Sequence, residues 1–259
     1  SGASGASGAG GARAGAAIHS VRAVDQASIR TVAAWAAGRQ LPLHVHLSEQ
    51  PAENQACLAA TGLTPTALLG ECGALGPATT AVHATHLTDR DVAQLGGSGT
   101  AVCLCPTTER DLADGIGPAH RLVAAGSRLC LGSDSQAAID LFEEARAVEL
   151  DERLASGSRG RHRAADLLAA ATAGGAASLG WPEAGRLEPG ALADFTTVSL
   201  SSVRLAGTDP ALAVEAVVFA ATAADVTDVV VGGSPVVEGG RHVLGDVAGA
   251  LTRAIRAIT

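Results

Sequence analysis

Short apolar runs alternate with longer amphipathic stretches along the first two thirds of the chain. The apolar runs predict buried β-strands over residues 41–47, 79–84, 100–105 and 128–132. The stretches between and after them predict helices over residues 25–37, 51–60, 89–95, 118–125, 141–154 and 164–179. Strands that are buried on both faces form continuous apolar runs, and their alternation with helices is typical of βα units around a parallel sheet. The pattern therefore predicts an α/β fold.

The pattern changes after residue 184, where turn residues become frequent and the apolar runs become shorter. Strands are predicted over residues 196–200, 226–231 and 236–237, with a turn at 232–235, and a helix over residues 246–258. We interpret residues 185–259 as a small β module that this helix closes, and residues 16–184 as the main domain. Residues 1–15 are a Gly/Ser/Ala tract, a composition that behaves as a flexible coil.

The charge and the aromatic content of the chain restrict its partners. It carries 26 acidic and 18 basic residues, a net charge of -8, and only 2% of its residues are aromatic. Such a chain repels phosphate backbones and anionic lipid, and it offers few rings on which bases could stack. It also contains no apolar run of membrane-spanning length. We therefore expect a small-molecule substrate and neither nucleic acid nor a membrane as partner, while a homodimer remains open.

The five cysteines bear on the cellular compartment. They are an odd number and lack the spacing of a small disulfide scaffold. This usage favours reduced thiols and a cytoplasmic protein.

Ionisable side chains gather where the predicted strands end. His44, His46 and Glu49 lie in or just after the first apolar run, His83 at the end of the second, and Asp134 after the last. The carboxyl ends of parallel strands meet at one edge of the sheet, so these side chains are expected to converge there. Imidazoles and carboxylates bind metal ions and transfer protons. Each residue taken alone has a simpler interpretation, a histidine as an ordinary core or surface residue and Asp134 as a helix N-cap.

Five segments around these residues carry a more specific pattern: His44 to Gln50, Val82 to His86, Cys105 to Glu109, Asp114 to Ile116 and Gly132 to Ser135. They resemble strands five to eight of metal-dependent deaminases in the amidohydrolase superfamily, most closely the formimidoylglutamate deiminase family, and His19 to Arg22 resembles the strand-four motif. The resemblance implies a partial (β/α)8 TIM-type barrel, strands 4 to 8, followed by part of a small β-sandwich module. Gln136 departs from the pattern, because a histidine is expected there.

The resemblance also implies residue roles at this edge of the sheet. His46 and Asp134 correspond to protein ligands of one divalent metal ion, for which zinc is expected. Glu49 corresponds to the acid/base that handles the substrate nitrogen, and His83 to the residue that orients the attacking hydroxide. With Asp134 as a proton acceptor, Glu49, His83 and Asp134 are the expected catalytic residues.

His19 and Arg22 correspond to the motif that holds the carboxylates of the substrate. A guanidinium suits bidentate recognition of carboxylates and would offset the negative charge of the chain. The implied reaction is the hydrolytic deimination of N-formimidoyl-L-glutamate to N-formyl-L-glutamate and ammonia in histidine degradation. The enzymatic alternative is a deaminase or chlorohydrolase acting on a purine, pyrimidine or triazine ring. His19 and Arg22 discriminate between the two, because a neutral ring gives Arg22 no carboxylate to bind.

The same resemblance raises an expectation about the extent of the chain. The superfamily takes its first two metal ligands from a His-x-His motif on strand one, and no such motif precedes His19. Strands one to three are therefore expected to be missing, which makes this sequence an incomplete and inactive fragment; a non-catalytic role is the second alternative. Cys103 and Cys105 are interpreted as packed thiols. Three histidines without a partner pattern are interpreted as surface residues: His120, His162 and His242.

Overall fold

The computed structural model describes residues 12–134 and 139–259, and a five-stranded parallel sheet organises the first of these ranges. Its strands lie side by side in chain order as β1 (Ala16–Ile18), β2 (Leu43–Leu47), β3 (Thr79–His83), β4 (Ala101–Leu104) and β5 (Leu129–Leu131). Each strand is parallel to the next. The predicted α/β fold is therefore confirmed, with one short strand, β1, that the apolar pattern does not reveal. Gln136 lies outside the described residues.

Helices connect the strands and cover the sheet. They are α1 (Gln26–Gly38), α2 (Pro51–Thr61), α3 (Pro65–Glu71), α4 (Asp89–Ser98), α5 (Pro106–Asp111), α6 (Ala119–Ala124), α7 (Leu141–Ser156), α8 (Ala164–Ala169) and α9 (Gly175–Ser178). A π-helical segment, Ala170–Gly174, joins α8 to α9, so the single helix predicted over residues 164–179 is divided. Helices α3 and α5, of 7 and 6 residues, were not predicted.

The alternation of side chains along β2 separates the core from the site. Leu43, Val45 and Leu47 are buried, whereas His44 and His46 between them are half-buried. Successive side chains of a strand point to opposite faces of the sheet, so the two histidines share the face that does not carry these apolar residues. The apolar face belongs to the hydrophobic core together with residues of α1 and α3.

The second sheet is antiparallel and lies in the C-terminal part of the chain. It consists of β6 (Phe195–Val198), β7 (Val226–Val231), β8 (Ser234–Glu238) and β9 (Arg241–His242), in that order. Helix α10 (Ala213–Ala220), which was not predicted, packs against α7 and α8. Helix α11 (Val247–Arg256) forms where a closing helix was predicted, but none of its residues is buried, so it does not close the module. Within the described ranges, no helix is long and apolar enough to cross a membrane.

Candidate active site

The carboxyl edge of the parallel sheet is built from turns with an unusual backbone. Ser48, His83 and Asp134 follow or end β2, β3 and β5, and their φ angles are 50°, 69° and 50°. Residues other than glycine seldom adopt a positive φ. The strand register pairs Leu47 with His83, yet the His83 ring stacks on that of His46, with 5.6 Å between centroids and 16° between planes. The left-handed backbone at His83 thus turns its side chain towards the face that carries His46.

His83 is almost fully enclosed, with 1% of its surface exposed. Its Nδ1 donates to Oε1 of Glu109 at 3.2 Å, which fixes the ring. Its Nε2 has no hydrogen-bond partner in the described part of the chain and lies 3.8 Å from Oε1 of Glu49 and 3.7 Å from Oδ2 of Asp134. Burial lowers the pKa of His83, but the hydrogen bond and charge of Glu109 and the charges of Glu49 and Asp134 outweigh it and raise the pKa. One buried imidazole nitrogen therefore faces two carboxylates.

His46 is held beside His83 by a contact with the strand before it. Its Nδ1 donates to the backbone carbonyl of His19 at 2.7 Å, so Nε2 is the ring nitrogen left for a ligand. The His19 ring lies 5.2 Å from that of His46, measured between centroids. His44 shares the strand face with His46, but its Nε2 donates to the carbonyl of Ser178 at 2.8 Å. His44 is therefore not part of this group.

Arg22 belongs to this group because its guanidinium contacts two glutamate side chains. Its Nη2 donates to Oε2 of Glu49 at 2.6 Å, and its Nε lies 3.8 Å from Oε2 of Glu53. The Arg22 side chain is 33% exposed, whereas that of Glu53 is fully buried. The guanidinium therefore connects the rim of the site to a carboxylate in the interior.

Three donor atoms at this edge are close enough to approach one metal ion. A ring nitrogen of His83, Sγ of Cys105 and a carboxylate oxygen of Asp134 all lie within 4.8 Å of one another. Nitrogen, sulfur and oxygen donors suit zinc. Buried polar atoms are normally paired, so the buried Nε2 of His83, which has no hydrogen bond within the described ranges, is available to bind a ligand. His46 does not belong to this trio, although its ring stacks on that of His83. The donor chemistry fits a divalent ion, and the ligand roles of His46 and Asp134 stay predictions.

The residues singled out by the resemblance form one continuous group at this edge: His19, Arg22, His46, Glu49, His83 and Asp134. Their individual roles remain predictions. Three further members were given no role in the site from the sequence: Glu53, Glu109, and Cys105, which was interpreted only as a packed thiol. Glu109 lies in one of the matching segments at a strand end, which is a usable signal. Glu53 lies in a helical pattern, where a glutamate is ordinarily a solvated residue.

The interpretation of His162 as a surface residue is wrong. It is only 8% exposed, and its ring packs edge-on against that of His120 with 6.0 Å between centroids. Its backbone N–H donates to Oε2 of the buried Glu149 at 2.8 Å, which draws the loop inward. Burial lowers the pKa of His162. This pair lies apart from the carboxyl edge and takes no part in the candidate site.

Comparisons with known proteins define the class of this protein. The model of the amidohydrolase family matches residues 3–236, and the chain belongs to that family. Formimidoylglutamate deiminase from Pseudomonas aeruginosa is 38% identical over 235 residues, which cover 88% of this chain and 51% of that protein. The 5'-deoxyadenosine deaminase from Methanoregula boonei is 33% identical over 252 residues, which cover 94% of this chain and 56% of that protein.

A solved structure agrees with the sequence relatives. The zinc-bound adenosine deaminase from Xanthomonas campestris superposes with a TM-score of 0.87 at 29% identity, covering 93% of this chain and 55% of that chain. The predicted TIM-barrel type of fold is thereby confirmed. The chain spans about half the length of the curated relatives it matches.

Proposed function

We propose that this chain contributes catalytic residues to a metal-dependent hydrolase that acts on a carbon–nitrogen bond, and that its substrate is N-formimidoyl-L-glutamate. The observation that carries the proposal is the position of Nε2 of His83. This buried nitrogen has no hydrogen-bond partner in the described ranges and lies 3.8 Å from a Glu49 oxygen and 3.7 Å from an Asp134 oxygen. An imidazole between two carboxylates can hold a water molecule while one carboxylate takes its proton and the other delivers a proton to a leaving nitrogen.

A zinc ion suits the donor atoms at this edge. We assign His46 and Asp134 as its ligands: Nδ1 of His46 is anchored on a backbone carbonyl, as is common for ligating histidines, and Asp134 belongs to the trio of close donors. When bound, the ion supplies Lewis-acid chemistry and makes water a nucleophile at neutral pH. The zinc-bound adenosine deaminase with a similar fold supports this choice.

The residues of the chain move protons between the water and the substrate. His83 holds the attacking water through Nε2, and Asp134 accepts its proton. The water oxygen adds to the imino carbon while Glu49 protonates the imino nitrogen. The two water protons, one held by Asp134 and one left on the new hydroxyl group, then supply the second proton of the leaving nitrogen and reprotonate Glu49. The carbon–nitrogen bond breaks and ammonia is released. The oxygen remains on the carbon as the formyl group of N-formyl-L-glutamate, so one water is consumed for each ammonia released.

Arg22 supports the assignment of a substrate with carboxylates. Its side chain is 33% exposed at the rim of the group, and a planar guanidinium binds carboxylates in a bidentate manner. The 38% identity with the Pseudomonas deiminase supports the same substrate. Arg22 binds Glu49 in this structure, so an incoming carboxylate would share the guanidinium with that residue.

A ring deaminase is the second candidate, and the same contact favours it. The charge of Arg22 is already balanced by Glu49 at 2.6 Å and Glu53 at 3.8 Å, so the site does not require an anionic substrate. The relationship to a 5'-deoxyadenosine deaminase supports this candidate.

Ammonia release by the zinc-loaded product of the complete gene tests the proposal. We expect turnover of N-formimidoyl-L-glutamate and much slower release from formamidine, which has no carboxylates, and from 5'-deoxyadenosine. Turnover of 5'-deoxyadenosine alone would replace the proposal with the second candidate.

Arg22→Ala separates the two candidates further. Loss of a charge-assisted contact from a desolvated pocket costs about 2 to 5 kcal/mol. The kcat/KM for N-formimidoyl-L-glutamate should therefore fall by roughly 30-fold to several thousand-fold, whereas formamidine should show only the smaller loss that follows from freeing the Glu49 side chain. Arg30→Ala is the matched control, because Arg30 lies on α1 and donates to the backbone carbonyl of Glu71. Equal losses on both substrates would assign Arg22 a structural role.

A further inference from the structure

Glu53 is a buried carboxylate beside the site for which the proposed reaction has no role. It lies in the first turn of α2, and only 2% of its surface is exposed. Burial of a carboxylate is unfavourable unless charges or hydrogen bonds stabilise it. The partners of Glu53 therefore indicate what it does.

Two parts of the site meet at Oε2 of Glu53. The backbone N–H of Glu49 donates to this atom at 3.1 Å, and Nε of Arg22 lies 3.8 Å from it. Oε1 has no hydrogen-bond partner among the described residues. Burial raises the pKa of Glu53, although the charge of Arg22 and the backbone N–H groups of Glu49 and Ser48 oppose the rise. Glu53 thus contacts both the main chain of Glu49 and the guanidinium that binds the Glu49 side chain.

The turn that carries Glu49 depends on such contacts. Ser48 has a φ of 50°, a left-handed conformation that is unfavourable for a residue with a side chain. The N-cap residue of α2, Gln50, makes no side-chain hydrogen bond to the helix. Glu53 instead reaches back from the first turn of the helix to the residues before it. Its carboxylate fixes the turn where the strand passes into the helix.

We propose that Glu53 is a positioning residue for proton transfer, which holds the main chain of Glu49 and the guanidinium of Arg22 so that the Glu49 carboxylate faces His83. The inference rests on the proposed function, in which Glu49 transfers a proton. The two oxygens of Glu49 have different neighbours: Oε2 binds Arg22 at 2.6 Å, and Oε1 lies 3.8 Å from Nε2 of His83. Without the charge of Glu53, Arg22 is attracted to Glu49 alone, and the carboxylate shifts away from His83.

Glu53→Gln in the zinc-loaded product of the complete gene tests this role. The amide keeps the size of the side chain and an oxygen that can accept the Glu49 N–H, but it removes the charge. We expect kcat to fall by about 10- to 100-fold with little change in KM and in Tm, because a small misplacement of a reacting group has effects of this size. A glutamate that only caps the helix would affect Tm and leave kcat unchanged, and that result would overturn the proposal.

Glu149→Gln is the matched control. Glu149 is also fully buried, accepts backbone N–H groups of Gly160 and His162 at 2.7 and 2.8 Å, and pairs with Arg153. Its substitution should lower Tm without lowering kcat. A loss of kcat in Glu149→Gln equal to that in Glu53→Gln would show that any buried carboxylate has this effect, which contradicts a specific role for Glu53.

The coupling to Arg22 is tested by the double variant. Substitutions that act on one network are not additive, whereas independent ones are. In the Arg22→Ala background, Glu53→Gln should lower kcat clearly less than it does in the wild type. Full additivity of the two losses would overturn the part of the proposal that involves Arg22.

One measurement is independent of the substrate and so separates this inference from the proposed function. Amide hydrogen exchange over residues 47–53 should be faster in Glu53→Ala than in the wild type, because the Glu49 N–H loses its acceptor. Equal exchange rates would overturn the inference even for an enzyme that is active on N-formimidoyl-L-glutamate. Should the wild type act only on 5'-deoxyadenosine, the proposed substrate fails, and the same kcat comparison is made with that compound.

Discussion

The two sheets of this chain meet the same backbone requirement with different residues. Both need positions with a positive φ where strands end or reverse. Among residues 185–259, which contain the antiparallel sheet, each residue with a positive φ is a glycine, as at Gly232 and Gly233 between β7 and β8. At the carboxyl edge of the parallel sheet, the positive φ values of Ser48, His83 and Asp134 belong to residues with side chains.

The difference shows where a side chain is retained in spite of backbone strain. Glycine adopts a positive φ readily, and a turn that only reverses the chain needs no side chain. Any other residue costs about 1 to 2 kcal/mol in the left-handed region, and such strain persists where the surrounding contacts impose it. His83 is held by Glu109, and its Nε2 lies 3.7 Å from Asp134. Gln40, Ala84 and Ala113 also have a positive φ, so strain by itself does not mark the candidate site. It points to the site where the strained side chain also contacts other ionisable groups, as that of His83 does.

The largest effect is expected for substitution of the proposed metal ligands at the carboxyl edge of the parallel sheet. His46→Ala and Asp134→Ala should each remove most of the bound zinc together with activity, because a catalytic zinc site normally has at least three protein ligands. Metal analysis of the purified variants measures this. His44→Ala is a control on the same strand, since His44 donates to Ser178, and it should keep the metal.

The alternative metal position gives a contradicting outcome. Cys105 lies in the trio of close donors with His83 and Asp134. Full zinc occupancy in His46→Ala, together with loss of zinc in Cys105→Ala, would mean that His46 is not a ligand. The metal would then belong to the trio.

A smaller effect is expected for proton transfer at the same edge. Glu49→Gln should keep the metal and bind substrate, but lose about 10²- to 10⁴-fold in kcat, because a general acid/base contributes in the transition state. Steady-state kinetics and metal content check the two parts. Glu143→Gln is a control, since Glu143 pairs with Arg110 at the surface. An unchanged kcat and pH profile in Glu49→Gln would remove Glu49 from the mechanism.

The parallel sheet was predictable because its longer strands are short segments rich in apolar residues that alternate with helical patterns. The runs over 41–47 and 79–84 correspond to β2 and β3 within two residues at each end. Strand β1 could not be found in this way, because a strand of 3 residues with one buried position leaves no pattern. Helix α10 escaped for a related reason: it is a short apolar segment, and its helical form is decided by packing against α7 and α8.

The candidate site was predictable only in part. Four of its residues could be recognised because they are ionisable and lie at the ends of apolar segments: His46, Glu49, His83 and Asp134. Glu53 could not be recognised, since its burial depends on a tertiary contact with Arg22 and on the turn at Ser48. A sequence indicates which residues end a strand, but not which helical carboxylates turn inward.

The smallest effects are expected for substitutions that place a side chain at a glycine turn of the antiparallel sheet and a glycine at a strained turn of the parallel sheet. They test the comparison of the two sheets directly. Gly233→Ala adds a methyl group where the nearest heavy atom outside the local chain is 3.9 Å away, so only the positive φ opposes it, and stability should fall by about 1 to 2 kcal/mol. Ser48→Gly relieves the same strain and removes a hydroxyl without a hydrogen-bond partner in the described ranges, but it increases the freedom of the unfolded chain. The net change in stability should stay within about 1 kcal/mol, while kcat falls because the Glu49 turn loosens.

Gly97→Ala in α4, where no atom lies within 4 Å of the added carbon, is the control and should raise stability by about 0.5 to 1 kcal/mol. Denaturant titration and steady-state kinetics on the three variants measure both quantities. A Ser48→Gly enzyme with an unchanged kcat would mean that the strained turn at β2 has no more functional value than the glycine turn between β7 and β8.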